Sequence, residues 1–349
     1  MTKFRVALSA DFKRADGSPA YPDFDLTPLT GNPQVEIGFV APVDGVMPAA
    51  ALEDYDALIL LVPKFTAESV PSGGRLALVA RFGVGYDSVQ VGPCTDADIA
   101  LCITPDGVRR PVAVSIVTYV LALSQKMLVK DRLARQGPDG WAQRSEHMGT
   151  GLIGKTLGQL GIGNIGAEVF RLAAPFGMGF IAHDPFADPN LAKELGIRLV
   201  SLEDLFRESD FLSVSCPLND QTRGIVNAER LALMKPTAYL INTARGPVVD
   251  QAALTDVLRR RAIAGAGLDV FEAEPTPAGE PLMDFDNVIV SPHSLCWTDQ
   301  CFAGIGAADV AAALAVMRGE VPRGIVNSGV TERAGWQAKL AGYRQRFGG

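Results

Sequence analysis

The stretch TLGQLGIGNIG, Thr156–Gly166, decides the fold. An apolar run of strand length, Thr156–Ile162, leads directly into Gly161-x-Gly163-x-x-Gly166, and an amphipathic segment follows. In that setting each glycine has a separate reason. Gly161 permits the tight turn, Gly163 removes the side chain that would block a pyrophosphate, and Gly166 lets helix and strand approach closely. The helix that begins at Asn164 and Ile165 then offers unpaired N–H groups to phosphate charge. The next strand-like run, Met178–His183, ends in Asp184, eighteen positions after Gly166, where a carboxylate can accept hydrogen bonds from ribose hydroxyls. Pro185-Phe186-Ala187-Asp188 carries no arginine to welcome a 2′-phosphate, so NAD is favoured over NADP.

Working outward, apolar runs of four to eight residues alternate with longer amphipathic segments through most of the chain, which predicts parallel α/β architecture. A first series runs through Arg5–Leu8, Val35–Phe39, Ala57–Leu61, Leu76–Ala80 and Ile99–Ile103. A second continues from the glycine motif through Gly179–His183, Phe211–Ser215, Ala238–Asn242, Gly267–Val270 and Val288–Val290, six strands in all. Between Asp11 and Pro33 the composition predicts a long loop. One long helix is expected over about Val112 to Arg135, with Pro111 near its start and Gly137-Pro138-Asp139-Gly140 as its stop. The Ala-rich tail from Cys301 to Met317 reads as helical.

With 349 residues, two domains are expected. A net charge of −7 and scattered basic residues give no footprint for nucleic acid. The apolar stretches Ala57–Val62 and Val112–Leu123 fall short of a bilayer span, and the N-terminal MTKFRVALSADF has no long apolar core of a signal peptide. A cytoplasmic enzyme with no membrane partner is the expectation. The five cysteines show no paired metal spacing, and three histidines leave few ligands for zinc, so no metal is expected.

Several segments in fixed order resemble the D-isomer-specific 2-hydroxyacid dehydrogenase family: VARFGVGYDSV (Val79–Val89), the glycine motif, INTARGPVVD (Ile241–Asp250), GLDVFEAEP (Gly267–Pro275) and VSPHS (Val290–Ser294). The resemblance covers about residues 76 to 295. It implies two doubly wound domains with parallel sheets and an active site in the cleft between them. A nucleotide-binding domain at 105–295 would be inserted into a substrate domain made of 1–104 and 296–349. It further implies NAD-dependent hydride transfer to or from C2 of a 2-hydroxyacid, with Arg245, Glu274 and His293 as the catalytic group.

Those residue types suit that chemistry. Arg245 can fork onto a carboxylate and polarise the neighbouring ketone. His293 can give or take the proton, and Glu274 would orient the imidazole and favour its protonated form. On the residues alone Glu272 competes with Glu274; the family pattern selects the one before Pro275. From the same resemblance, Cys216, Pro217, Thr222, Thr243, Ala244 and Asp269 would line the cofactor, with Asp269 at the nicotinamide amide. The turn Gly83-Val84-Gly85 would hold the substrate carboxylate on backbone N–H groups, and Arg81 would lie near it in a role left open. Lys126–Gly151, with Trp141, resembles the family's dimerisation arm and implies a homodimer.

The chain also departs from the pattern. Val114 follows Ala113 where much of the family has Ala-Glu, and Ser294-Leu295-Cys296-Trp297 replaces small residues after the histidine. Trp297 either walls the substrate pocket or fills core between domains. Two other functions stay open: a sensor that binds NAD(H) without turnover, and a dehydrogenase of formate or phosphite. Retention of Arg245, Glu274 and His293 together speaks against the sensor.

Overall fold

The computed structural model describes residues 3–348. The chain divides into two compact units, one formed by residues 1–108 with 297–349 and the other by 109–296. Each is built on one wholly parallel sheet, as the alternation of short apolar runs and helices predicts.

The terminal unit carries β1 (Phe4–Ser9), β2 (Val35–Val40), β3 (Ala57–Leu60), β4 (Leu78–Arg81) and β5 (Ala100–Cys102) in the order β2-β1-β3-β4-β5. All four residues of β3 are buried, the continuous apolar run that a strand covered on both faces requires. The segment 11–33 is loop except for short turns of helix at Ala10–Phe12 and Thr27–Thr30. The Ala-rich tail is the helix Asp299–Met317, which packs on β4. The last helix, Ala334–Phe347, is tied to the same sheet. The Trp336 indole N–H donates to Ala77 O at 3.0 Å, and Lys339 Nζ donates to the carbonyls of Leu76, Ala97 and Asp98.

The middle unit holds β6 (Thr156–Leu160), β7 (Gly179–His183), β8 (Ile197–Leu199), β9 (Phe211–Val214), β10 (Tyr239–Asn242), β11 (Gly265–Leu268) and β12 (Val288–Val290), in the order β12-β11-β10-β9-β6-β7-β8. It has seven strands where six are predicted. β8 escapes the periodicity because only one of its three residues is buried. The strand order reverses between β6 and β9, the switch point at which parallel sheets open a ligand crevice. Register does the rest: Leu160 pairs with Val214, Val214 with Asn242, Asn242 with Leu268 and Leu268 with Val290. Five strands therefore end on one level, and the residues that follow them begin one continuous rim.

The predicted helix over Val112–Arg135 is two helices, Pro105–Ser124 and Met127–Arg135, broken where Lys126 turns left-handed at φ 51°. Pro105 opens the first helix, and Pro111 lies inside it rather than near its start. Gly137 does not stop a helix so much as precede a new one, Pro138–Ala142. Two helices, Pro105–Ser124 and Asp299–Met317, are long and apolar enough by composition to cross a membrane, and half or more of each apolar window is buried within the fold. The first sends Ala113, Ile116, Tyr119, Val120 and Leu123 into the core of the middle unit, so its apolar surface is spent on packing.

Candidate active site

The glycine loop follows β6 at the switch point. Gly161 sits at φ +96°, and a Cβ there would come within 3.1 Å of the Cys216 backbone; a Cβ on Gly166 would stand 2.4 Å from the Gly161 carbonyl. At Gly163 the same construction meets nothing within 4 Å. Gly161 and Gly166 thus serve the turn, while the space over Gly163 is open to a ligand. The helix Asn164–Ala173 starts here, and its first internal bond reaching back to the loop runs from Ala167 N to Gly163 O. The N–H groups of Gly163 to Gly166 are thereby left facing outward, as an anion requires.

Asp184, directly past β7, accepts Ile162 N on Oδ2 at 2.9 Å and Phe186 N on Oδ1 at 2.8 Å. One bond ties it to the glycine loop and the other is a local turn. A carboxylate retains acceptor capacity beyond two donors, enough for ribose hydroxyls. Cys216 and Pro217 follow β9 beside Gly161. Thr222 staples its own loop, donating to Pro217 O at 2.5 Å and accepting Asn219 N at 2.9 Å. These residues fit a dinucleotide: a gap where a Cβ would block it, free helix N–H donors and an acid one strand away.

Further along the rim, Thr243, Ala244 and Arg245 follow β10. Asn242, almost wholly buried, shapes that turn by donating from Nδ2 to Arg245 O and accepting Ala244 N on Oδ1, each at 3.0 Å. Gly246 presses on the loop after β11 so closely that a Cβ would fall 1.9 Å from the Phe271 carbonyl carbon. That contact brings the Arg245 turn against the segment carrying Glu274.

His293 Nδ1 lies 2.7 Å from Glu274 Oε2, and Glu274 Oε1 accepts Phe271 N at 3.0 Å. Half-burial pushes the Glu274 carboxyl up. The hydrogen bond from His293, the Phe271 N–H and the charges of His293 and Arg245 outweigh that, leaving it below its ordinary value of 4.5. The backbone N–H of Glu272, the competing acid, donates to Gln251 Oε1 at 2.9 Å. His293 itself is left-handed, at φ 52°. Such a backbone costs a β-carbon residue about 1–2 kcal/mol, and here it is held by His293 N donating to Asp269 O at 2.8 Å.

Asp269 is the organiser of this corner. Its Oδ1 accepts Ser291 Oγ at 2.5 Å, Ser294 N at 2.9 Å and Leu295 N at 3.1 Å, and Ser291 Oγ meets Tyr119 OH at 2.6 Å. Its expected place at the nicotinamide amide is therefore joined by a second task, fixing the histidine loop, with Oδ2 taking no protein donor among the described residues. Asn242, Ser291 and Tyr119 are the positioning residues that sequence reading misses. Their polar atoms show no period, and only the contacts of the folded chain mark them. Of the remaining histidines, His183 Nδ1 is occupied by Val200 O at 3.0 Å.

The terminal unit carries the other expected residues. Past β4, Gly83 N donates to Thr104 Oγ1 at 3.0 Å and Thr104 N returns a bond to Gly83 O. Gly83 is thus withdrawn from the anion-holding role expected of it, because its N–H anchors the loop. Val84 and Gly85 are the members whose N–H groups find no protein acceptor among the described residues. Arg81 folds back so that Nη1 donates to Phe82 O, and a Cβ on Gly83 would collide with that guanidinium. Trp297 stands half-exposed against Tyr21 and Phe302.

A dinucleotide loop at a parallel-sheet switch point, with an Arg/Glu/His group along the same rim, defines a nicotinamide-dependent dehydrogenase by architecture. Comparison places it in a family: the profile for the D-isomer specific 2-hydroxyacid dehydrogenase NAD binding domain matches residues 117–294. A glyoxylate reductase of Korarchaeum cryptofilum is 38% identical over 283 residues, covering 80% of this chain and 85% of that protein. A D-3-phosphoglycerate dehydrogenase of Methanocaldococcus jannaschii is 34% identical over 84% of this chain and 56% of its own length. Among solved structures, D-lactate dehydrogenase from Aquifex aeolicus, complexed with NAD and lactic acid, superposes with a TM-score of 0.76 at 28% identity, covering 94% of this chain and 97% of that one. The chain belongs to the D-isomer-specific 2-hydroxyacid dehydrogenase family and is an NAD-dependent oxidoreductase acting on CH–OH donors.

Proposed function

We propose that this protein works as a 2-oxoacid reductase, forming a D-2-hydroxyacid, with Arg245, Glu274 and His293 as its catalytic residues. The observation that carries the reading is the 2.7 Å bond between His293 Nδ1 and Glu274 Oε2. A carboxylate on Nδ1 holds the ring with its proton on that side and presents Nε2 to the substrate. NADH, when bound along the glycine loop, supplies the hydride that goes to the carbonyl carbon. His293 Nε2 gives its proton to the carbonyl oxygen as negative charge develops there, and the Glu274 carboxylate stabilises the imidazolium beforehand. Arg245 binds the substrate carboxylate and draws density from the ketone. The N–H groups of Val84 and Gly85 are a further donor set for that carboxylate. Asp184 selects NAD by accepting from the ribose hydroxyls, and Asp269 Oδ2 accepts from the nicotinamide amide.

A formate or phosphite donor has no carbinol proton to shuttle, so a paired acid/base histidine favours the hydroxyacid reading over that alternative. We further infer a homodimer through the arm Lys126–Gly151. Met127, Leu128, Trp141 and Met148 on it are exposed apolar side chains, more than a solvated arm needs.

The test is NADH oxidation against 2-oxoacids from glyoxylate to bulky aromatic examples. His293→Ala is expected to cut kcat by about 10²–10⁴-fold while NADH affinity holds. A parallel collapse of affinity would replace the acid/base role by a structural one. No turnover with any 2-oxoacid, despite NADH binding, would shift the reading to a sensor.

A further inference from the structure

The terminal unit contains an aromatic cluster that neither the cofactor site nor the proton shuttle uses. Phe12 follows β1 and Phe82 follows β4, so both stand at the carboxyl edge of the sheet. Phe12 lies 5.1 Å from Phe82 between ring centroids, Phe24 is 5.1 Å from each, and Phe302 is 5.6 Å from Phe82. These four rings are buried. The contact with the helix Asp299–Met317 is so close that a Cβ on Gly306 would fall 2.3 Å from Phe24.

Two further rings cap this floor and are not buried. Tyr21, from the long N-terminal loop, stacks on Phe302 at 4.3 Å and 12°. Trp297 meets Tyr21 at 5.6 Å and Phe302 at 5.4 Å, at 86° to each. Trp297 keeps 47% of its surface exposed. The outer pair therefore meets at a right angle, with Trp297 the more exposed of the two. Its floor includes Phe82, the residue immediately before the Gly83–Gly85 turn.

We infer that Tyr21 and Trp297 form the specificity surface for the C3 substituent of the substrate, and that the substituent they select is an aromatic ring. The inference rests on the reading that Val84 and Gly85 hold the substrate carboxylate, since that places the rest of the molecule next to the Phe82 floor. A substrate ring reaching this pair can stack on one member or meet it edge-on, the two arrangements that aromatic quadrupoles favour. Glyoxylate has no C3 and gains nothing from such a surface. A 2-oxoacid carrying a phenyl group removes exposed surface of Trp297 from water along with its own.

The experiment measures kcat/KM with NADH for glyoxylate, 4-methyl-2-oxopentanoate and phenylpyruvate, using wild type, Trp297→Ala and Trp297→Phe, with melting temperatures as a folding control. Wild type is expected to prefer phenylpyruvate over glyoxylate by about tenfold or more, the scale at which burial of part of a ring discriminates. Trp297→Ala should reduce that ratio at least tenfold and Trp297→Phe should restore most of it. Turnover in which glyoxylate equals phenylpyruvate, or in which Trp297→Ala lowers both alike, overturns the specificity surface and leaves the reductase reading standing. A preference for the branched aliphatic acid overturns its aromatic character. Absence of turnover with all three substrates overturns both readings together. Tyr21→Phe gives an independent check: it keeps the ring, so the ratio should hold.

Discussion

At the scale of single residues, the chemistry depends on which acid reaches the histidine. Glu274 does so with one oxygen on His293 and the other on Phe271 N. Because its folded pKa is depressed, the stability it contributes is fully present above about pH 4.5 and is lost as pH falls through the lower folded value. The difference in melting temperature between wild type and Glu274→Gln should accordingly be larger at about pH 5 than below about pH 4.5, shrinking as the pH falls. The same substitution should lower kcat by about 10²-fold, since a neutral amide cannot stabilise the imidazolium. A melting difference that grew on acidification would show that the carboxylate is not held in its charged form. Here the sequence left two candidates, Glu272 and Glu274, and the family resemblance chose between them. The residue pattern could not, because two acids two positions apart are equivalent until the loop path is known.

At the scale of elements, the glycine loop separates fold from function. Gly163→Ala places a methyl in open space and should leave the melting temperature within about 2 °C of wild type. It should nonetheless weaken NADH binding at least tenfold, on the proposal that this space receives the pyrophosphate. Gly166→Ala puts a methyl 2.4 Å from the Gly161 carbonyl and should lower stability as well as affinity. Thermal melts and NADH fluorescence titrations on both variants check the contrast; equal destabilisation by the two would remove it. The helix Asp299–Met317 carries a different tension. Asp309 is fully buried, neither oxygen has a hydrogen-bond partner among the described residues, and burial drives its pKa well above 3.8 despite the charge of Arg81. The unfolded chain releases this proton above about pH 4 while the folded one keeps it, so stability falls as pH rises through that window. Asp309→Asn abolishes the titration, and its melting temperature should gain on wild type progressively from pH 4 upward. A gap independent of pH would place the proton elsewhere.

At the scale of the molecule, both units repeat one plan: a parallel sheet whose carboxyl edge carries the functional loops. In the middle unit five strands end in register, so Gly161, Cys216, Thr243, Asp269 and the His293 loop come to one rim although they span more than 130 residues of sequence. The exposed arm is the molecule-scale feature that a single chain leaves unsatisfied. On the proposed homodimer through this arm, Trp141→Glu should convert dimer to monomer by light scattering, with NADH binding retained. A mass unchanged by the substitution would move the interface elsewhere.

What the sequence determined by itself is whatever short-range pattern encodes. The apolar runs specified the parallel strands, the glycine spacing specified the dinucleotide turn, and Asp184 is legible because it ends the next strand. Among what escaped are β8, with two of its three residues exposed, and the break at Lys126, since neither disturbs a local period enough to be seen. The tertiary structure alone decided the rest. It withdrew Gly83 N–H to Thr104, gave Asp269 the histidine loop to hold, buried Asp309 without a hydrogen-bond partner among the described residues, and set Trp297 against Tyr21 across 276 positions of chain. Each of these depends on contacts between residues far apart in sequence. Such contacts follow from strand register and helix packing, which a local pattern does not carry.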